Sequence, residues 1–246
     1  MVYIRGQRED FDDWEAAGNP GWAWQSVLPY FKKSEDHVWG ASEHHGSGGP
    51  LRVSEFSGKV HPLCDTFMAA CNALGYPTTA DFNGAQTEGA GLWQMTIRDG
   101  VRASTANAFL RPALKRKNLT LQTRAQVTRV VFEGTRAVGV EFVLQGSVHT
   151  ARAAKEVVLS GGSINSPQLL QLSGVGDAGL LKGLDIPLVR HAPAVGQNLQ
   201  DHVCVSYYFK SKVPTLNDTL YPFSGKVKAA LQYLMGRQGP LAMSVN

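Results

Sequence analysis

Gly162-Ser163-Ile164-Asn165-Ser166-Pro167-Gln168-Leu169-Leu170-Gln171-Leu172-Ser173-Gly174-Val175-Gly176, entered from the apolar run Glu156-Val157-Val158-Leu159-Ser160, is the stretch on which the fold turns. The order is strand, small-residue turn, helix and glycine stop. Ser166 is placed to cap a helix over Pro167–Leu172, because proline suits a first turn whose N–H groups have no helical partner. Gly174 offers the left-handed exit. A glycine turn between strand and helix lets a ligand come close to backbone beside a helix N-terminus.

Upstream, Leu119–Thr123 reads as a short strand. Val127–Glu133 and Ala137–Leu144 are joined through Gly134-Thr135-Arg136, and Ser147–Ala151 follows Gln145-Gly146. Alternating runs with short glycine turns predict an antiparallel meander. Glu156–Leu159, almost continuously apolar, reads as a buried parallel strand. Downstream, Cys204–Lys210 reads as a strand and Val227–Met235 as an amphipathic helix.

The first half is less regular. Asp10–Trp14 predicts a short helix stopped by Gly18-Asn19-Pro20-Gly21, and Trp24–Ser34 a second, tolerating Pro29 if it starts near Ser26 or kinks. Trp39–Pro50 reads as a loop and Leu51–Ser54 as a strand. Val60, Leu63, Cys64, Phe67, Cys71 and Leu74 keep helical spacing up to Gly75. Asp81–Gly100 is a long polar stretch of a kind that often carries function. A short helix is expected near Ser104–Leu110. Trp14, Trp22 and Trp24 are expected to anchor core, and Cys64 and Cys71 to be small core residues.

The totals exclude several classes. With 43% hydrophobic and 18% charged residues and a net charge of +4, the chain is an ordinary globular one. Lys115-Arg116-Lys117 is its one tight basic cluster and suits a solvated helix end, so no nucleic-acid partner is expected. No apolar run approaches the ~18–20 residues of a membrane span, and the N-terminus lacks the order of a signal peptide. Three scattered cysteines argue for a reducing compartment, hence a cytoplasmic protein, with peripheral membrane association left open. His37, His44 and His45 lack metal-ligand spacing, and neither Ser163 nor Ser173 sits in a GxSxG elbow, so neither a metal site nor a hydrolase is expected.

The opening Met1-Val2-Tyr3-Ile4-Arg5-Gly6, Asp10-Phe11-Asp12 with Trp14, Gly18–Trp22, Val27–Phe31, His45-Gly46-Ser47-Gly48-Gly49-Pro50-Leu51, Gly100–Ser104, Asn118–Leu121, the Gly162–Gly176 segment and Val195–His202 together resemble the glucose-methanol-choline (GMC) family of FAD-dependent oxidoreductases, nearest its choline and alcohol dehydrogenase branch. The resemblance implies a mixed α/β fold. This comprises part of a FAD-binding Rossmann-like domain with its antiparallel meander, plus part of a substrate domain of mixed sheet and helices. Its expected divisions are residues 1–50 (a helical segment of the FAD domain), 51–118 (mostly substrate-domain and connecting segments), 119–202 (the FAD-binding portion) and 203–246 (the start of a substrate-domain sheet and helix).

The implied reaction is hydride transfer from an alcohol CH–OH to flavin, with a small-molecule alcohol as partner and the electron acceptor unknown. Val127 matches the position whose backbone meets adenine, although the pattern alone gives a buried sheet valine. Ser160, Gly161 and Gly162 match the turn beside adenosine, or are a packing turn. Met1 and Val2 match the end of the segment passing the isoalloxazine ring, or are a frayed terminus. Asp201 and His202 fall in a loop near the flavin, or cap a turn. The family's GxGxxG fingerprint should precede Met1 and its catalytic histidine should follow the last residue, so no catalytic residue is assigned. The expectation is a middle fragment, inactive alone. The alternatives are a non-catalytic remnant, a split subunit, or a flavin-dependent lyase of the same family.

Overall fold

A computed structural model describes residues 1–56 and 59–243; the terminal Ser244-Val245-Asn246 lies outside the described residues. Two units divide the chain, Met1–Leu119 with the residues from Phe209 onward, and Thr120–Tyr208.

The first unit opens with α1 (Arg8–Ala16) and α2 (Trp24–Ser34). The Gln7 N–H donates to the Asp10 carboxylate at 2.7 Å, supplying an acidic cap at the start of α1. Phe11, 7% exposed, is the centre of an aromatic cluster with ring centroids of Trp14, Trp24 and Phe31 at 5.4, 5.6 and 5.7 Å. Trp14 and Trp22 are half exposed, so Phe11 takes the anchoring role expected of the tryptophans. Pro29 lies inside α2, which starts ahead of Ser26.

Next, β1 (Glu35–His37) pairs in parallel with β2 (Leu51–Val53). The loop between them doubles back on β1. His37 N–H donates to Gly46 O at 2.9 Å, and Gly49 N–H to Glu35 O at 2.9 Å. A Cβ on Gly46 would fall on the Lys32 carbonyl, which explains a glycine after His45. α3 (Leu63–Ala73) follows the predicted spacing and exits through Gly75. Its residues are not core: Phe67 and Leu74 are exposed and both cysteines are half-buried. The Asp81–Gly100 stretch is irregular until β3 (Ile97–Arg98), which turns at Asp99-Gly100 into β4 (Val101–Arg102). A π-helical turn at Ala106–Leu110 and the single-turn α4 (Arg111–Ala113) follow.

The second unit contains the predicted meander, β5 (Gln126–Glu133), β6 (Arg136–Leu144) and β7 (Ser147–Arg152), in the order β5-β6-β7. Val130 faces Val140 and Phe142 faces His149. Then come α5 (Gly162–Leu172), β8 (Val175–Gly176), α6 (Ala178–Gly183) and β9 (Arg190–His191). β8 and β9 pair in parallel around α6, whose Leu181 is fully buried and whose first turn is capped by Asp177. The first unit resumes with α7 (Leu216–Leu220), α8 (Phe223–Gly236) and a 3₁₀ turn at Pro240–Ala242.

Three predicted strands are not strands. Leu119–Thr123, Glu156–Leu159 and Cys204–Lys210 are in no ladder. Each has strand composition, but among the described residues no strand lies alongside to accept its backbone bonds, and a sheet needs those long-range partners. Glu156–Leu159 keeps an alternating pattern: Val157 and Leu159 are half-buried while Val158 is 75% exposed. The helix boundary also differs. α5 starts at Gly162, so Pro167 lies past the first turn, and Ser166 Oγ accepts from the Gly161 N–H at 2.9 Å as an internal side chain rather than an N-cap. Gly174 leaves the helix at φ +86°, as expected, and a Cβ there would meet the Pro187 carbonyl.

Candidate functional site

The second unit encloses an open cleft of about 1010 Å³. One wall is β5 and β6, through Val127, Thr128 and Val140. The other is the extended Val157–Gly161 segment and the inner side of α5, through Asn165, Ser166, Leu169 and Leu172. The local reason is the turn itself. The chain runs out of the extended segment, bends at Gly161 and Gly162 (φ +89°), and enters α5, leaving backbone rather than side chain at the floor. Apolar walls with a few polar groups are the usual make-up of a small-molecule cleft.

Val127, Ser160 and Gly161 therefore line one cleft, with Gly162 next in the chain. Asp201 and His202 are exposed, outside the cleft lining, and locally bonded, His202 N–H to Asp201 Oδ1 at 2.8 Å. Met1 and Val2 belong to the first unit and are bonded within it. Thr96 N–H donates to Met1 O at 3.0 Å, and Val2 bridges Met95.

Sequence reasoning missed a second cluster, buried in the first unit. Arg5 Nη2 pairs with Glu35 Oε2 at 2.9 Å. His45 Nδ1 lies 3.1 Å from that same oxygen, and its Nε2 is 2.7 Å from Asp81 Oδ2. Asp81 Oδ1 accepts from the Asn83 N–H at 2.9 Å, and Asn83 Oδ1 accepts from the Arg5 N–H at 2.7 Å. The contacts close a ring: Arg5, Glu35, His45, Asp81, Asn83 and back to Arg5. The partial signals were the polar Asp81–Gly100 stretch and His45-Gly46. Nothing in the pattern of Glu35-Asp36-His37 marks Glu35 as wholly buried.

The electrostatics of the ring are consistent. Burial alone would lower the His45 pKa, but the hydrogen bonds and charges of Asp81 and Glu35 outweigh it and raise it to about 9. Burial would raise Glu35 and Asp81, yet the bond to His45 and the backbone N–H groups of Gly46 and Asn83 hold both below their usual values. His37, stacked on His45 with centroids 3.8 Å apart, is pushed down by burial and by the His45 charge. Its Nδ1 accepts from the Trp39 N–H at 3.3 Å, as a neutral ring can. Glu35, His37 and His45 come close enough to suggest a metal. An imidazolium with both ring nitrogens already donating has no lone pair to give one, so the cluster reads as a self-paired ionic ring.

A meander facing an extended segment, glycine turn and helix across an open cleft makes an α/β arrangement with glycine backbone at the floor of the cleft. The GMC oxidoreductase family profile matches residues 1–204, and the chain belongs to the GMC oxidoreductase family. It is 55% identical over 204 residues to the mitochondrial choline dehydrogenase of Homo sapiens, covering 82% of this chain and 34% of that one. It is 45% identical over 241 residues to the oxygen-dependent choline dehydrogenase of Vibrio vulnificus, covering 97% of this chain and 43% of that one. Among solved structures, a FAD-dependent oxidoreductase from Chaetomium thermophilum superposes with a TM-score of 0.88 at 30% identity, over 98% of this chain and 45% of that one. Pyridoxine 4-oxidase from Mesorbium loti gives 0.73 at 35% identity, over 78% of this chain and 38% of that one. The chain thus spans less than half the length of these curated relatives. Among the described residues no helix is long and apolar enough to cross a membrane.

Proposed function

We propose that this chain is part of a FAD-dependent oxidoreductase acting on the CH–OH group of a small alcohol, choline foremost. The observation that carries the reading is the cleft between β5 and the Val157–Gly161 turn, in a chain whose relatives are named choline dehydrogenases.

The residues present fit the adenosine end of FAD. Val127 would meet the adenine through its backbone, and Ser160, Gly161 and Gly162 would let adenosine approach the turn closely. Val127, Ser160 and Gly161 line the same cleft, and the φ of +89° at Gly162 turns the chain from that wall into α5. Met1 and Val2 would run beside the isoalloxazine ring, with Asp201 and His202 also on the flavin side. Bound FAD supplies a two-electron acceptor for hydride from the donor carbon. The chain's own residues would hold the adenosine end of the cofactor. The segments 1–50 and 119–202 would serve the FAD domain, and 51–118 and 203–246 mainly the substrate domain. The free thiols Cys64, Cys71 and Cys204 suit a reducing compartment, proposed as the cytoplasm and checked by fractionation.

The test uses the full-length gene product. It should be yellow as purified and should lose its flavin absorbance when choline or another alcohol is added without an acceptor. A colourless protein would overturn the reading.

A further inference from the structure

We propose that His45, held between Glu35 and Asp81, is a positioning residue that fixes the Met1–Arg5 segment for the reaction. The inference rests on the reading that this segment runs beside the flavin ring.

His45 is 4% exposed, and both of its ring nitrogens face carboxylates. From Asp81 the path to the first residues is short and wholly polar. Asp81 Oδ1 takes the Asn83 N–H and, at 3.2 Å, the Gln94 side-chain amide. Asn83 then grips the segment twice, accepting from Arg5 N–H at 2.7 Å and donating to Tyr3 O at 3.1 Å. Gln94 O accepts the Tyr3 N–H at 2.7 Å. On the other side, Glu35 holds the Arg5 guanidinium, whose Nη1 also donates to His44 O at 2.7 Å. Segment 1–5 is therefore tied at Tyr3 and Arg5 by groups whose own orientation depends on His45.

The charges make the tie conditional. With His45 protonated, Arg5 and His45 balance Glu35 and Asp81. Two further titratable groups face this ring: His37, stacked on His45 and pushed down by burial and the His45 charge, and Tyr3, which bonds the Arg5 guanidinium and is pushed above its usual value by burial. When His45 loses its proton its ring can donate to only one of the two carboxylates, and the fully buried Glu35 needs that donor more than the half-buried Asp81. The ring should then open at Asp81, and Asn83 should release Tyr3 and Arg5.

The experiment follows amide hydrogen exchange at Arg5, whose N–H Asn83 accepts, in the full-length protein, together with the flavin absorption spectrum and the pH profile of kcat/KM. In the unmodified protein, protection at the Arg5 amide should fall about tenfold beyond the intrinsic rate change as pH passes about 9, and kcat/KM should fall with it. H45Q should lack that protection at neutral pH, shift the flavin band and flatten the alkaline limb. Protection that stays within about twofold up to pH 10 in the unmodified protein would overturn the proposal, and needs no variant to fold. Exchange is read without flavin, so loss of flavin from the unmodified protein would refute the functional reading and leave the exchange result to judge the tie.

Discussion

The Val130 N–H donates to the Ser173 hydroxyl at 2.8 Å, joining the edge strand β5 to the residue that closes α5. Ser173 Oγ in turn donates to Leu169 O, one turn back in the helix. The hydroxyl thus satisfies a buried edge-strand donor and sets where the helix lies on the meander, which defines the width of the cleft. Ser173→Ala removes the acceptor and strands the Val130 N–H. The expected loss is about 1–3 kcal/mol, the cost of an unpaired buried donor. Chemical denaturation checks it, and a loss below a few tenths would mean that water replaces the hydroxyl.

His45 predicts how stability depends on pH. Its pKa rises from 6.5 in the unfolded chain to about 9 in the folded one, so its contribution is fully present below 6.5 and disappears as pH climbs through 9. Glu35 and Asp81 act oppositely: lowered below 4.5 and 3.8, they contribute above those values and lose that contribution only in stronger acid. The stable plateau should therefore lie between about pH 5 and 6.5, with a decline of on the order of 3 kcal/mol by pH 10. Denaturation midpoints across this range test it. H45Q should be less stable at pH 6 and nearly flat above it, and an equally steep alkaline decline in H45Q would assign the effect elsewhere.

Gly46 separates close approach from mere flexibility. A Cβ at this position falls on the Lys32 carbonyl, backbone of α2 that cannot rotate away. Gly46→Ala should cost on the order of 3 kcal/mol through this overlap. The control is Gly183→Ala, at the end of α6, where no heavy atom lies within 4 Å of the added carbon. That change should be neutral or stabilising by up to about 1 kcal/mol. Thermal melts of the two variants side by side would settle it, and similar behaviour would remove the steric argument.

What the sequence disclosed follows from the range over which each feature is determined. β5, β6 and β7 were legible because alternation and the turns at Gly134 and Gln145-Gly146 are local, and the ladder Val130↔Val140 follows from them. Glu156–Leu159 has the right residues for a strand but depends on a neighbour far away in the chain, which no local pattern reports. The cleft was half visible: its turn residues were, while the lining from α5 shifted because α5 starts five residues before Pro167. The ionic ring was invisible, since Arg5, Glu35, His45 and Asp81 meet only after the His45–Pro50 loop folds back on β1. Charged residues in short irregular segments otherwise read as solvated.

The cleft itself gives the sharpest test of where a cofactor sits. Gly161 has an ordinary φ of −81°, and an added Cβ would lie 3.2 Å from Asn165 Cβ, so a larger residue there needs only a slight adjustment of α5. Its side chain would then occupy the floor of the space assigned to adenosine. Gly161→Leu in the full-length protein should reduce FAD retained through gel filtration at least about tenfold, because the bulk displaces the ligand from its closest approach to backbone, while far-UV circular dichroism stays unchanged. Val127→Ala makes the complementary case. If the strand meets adenine through its backbone, shortening the side chain should change retention by less than about threefold, at a stability cost of about 1 kcal/mol. The flavin-to-protein absorbance ratio reads both variants. Stoichiometric FAD on Gly161→Leu would move the adenosine away from this turn, and a large loss on Val127→Ala would make the contact a side-chain one.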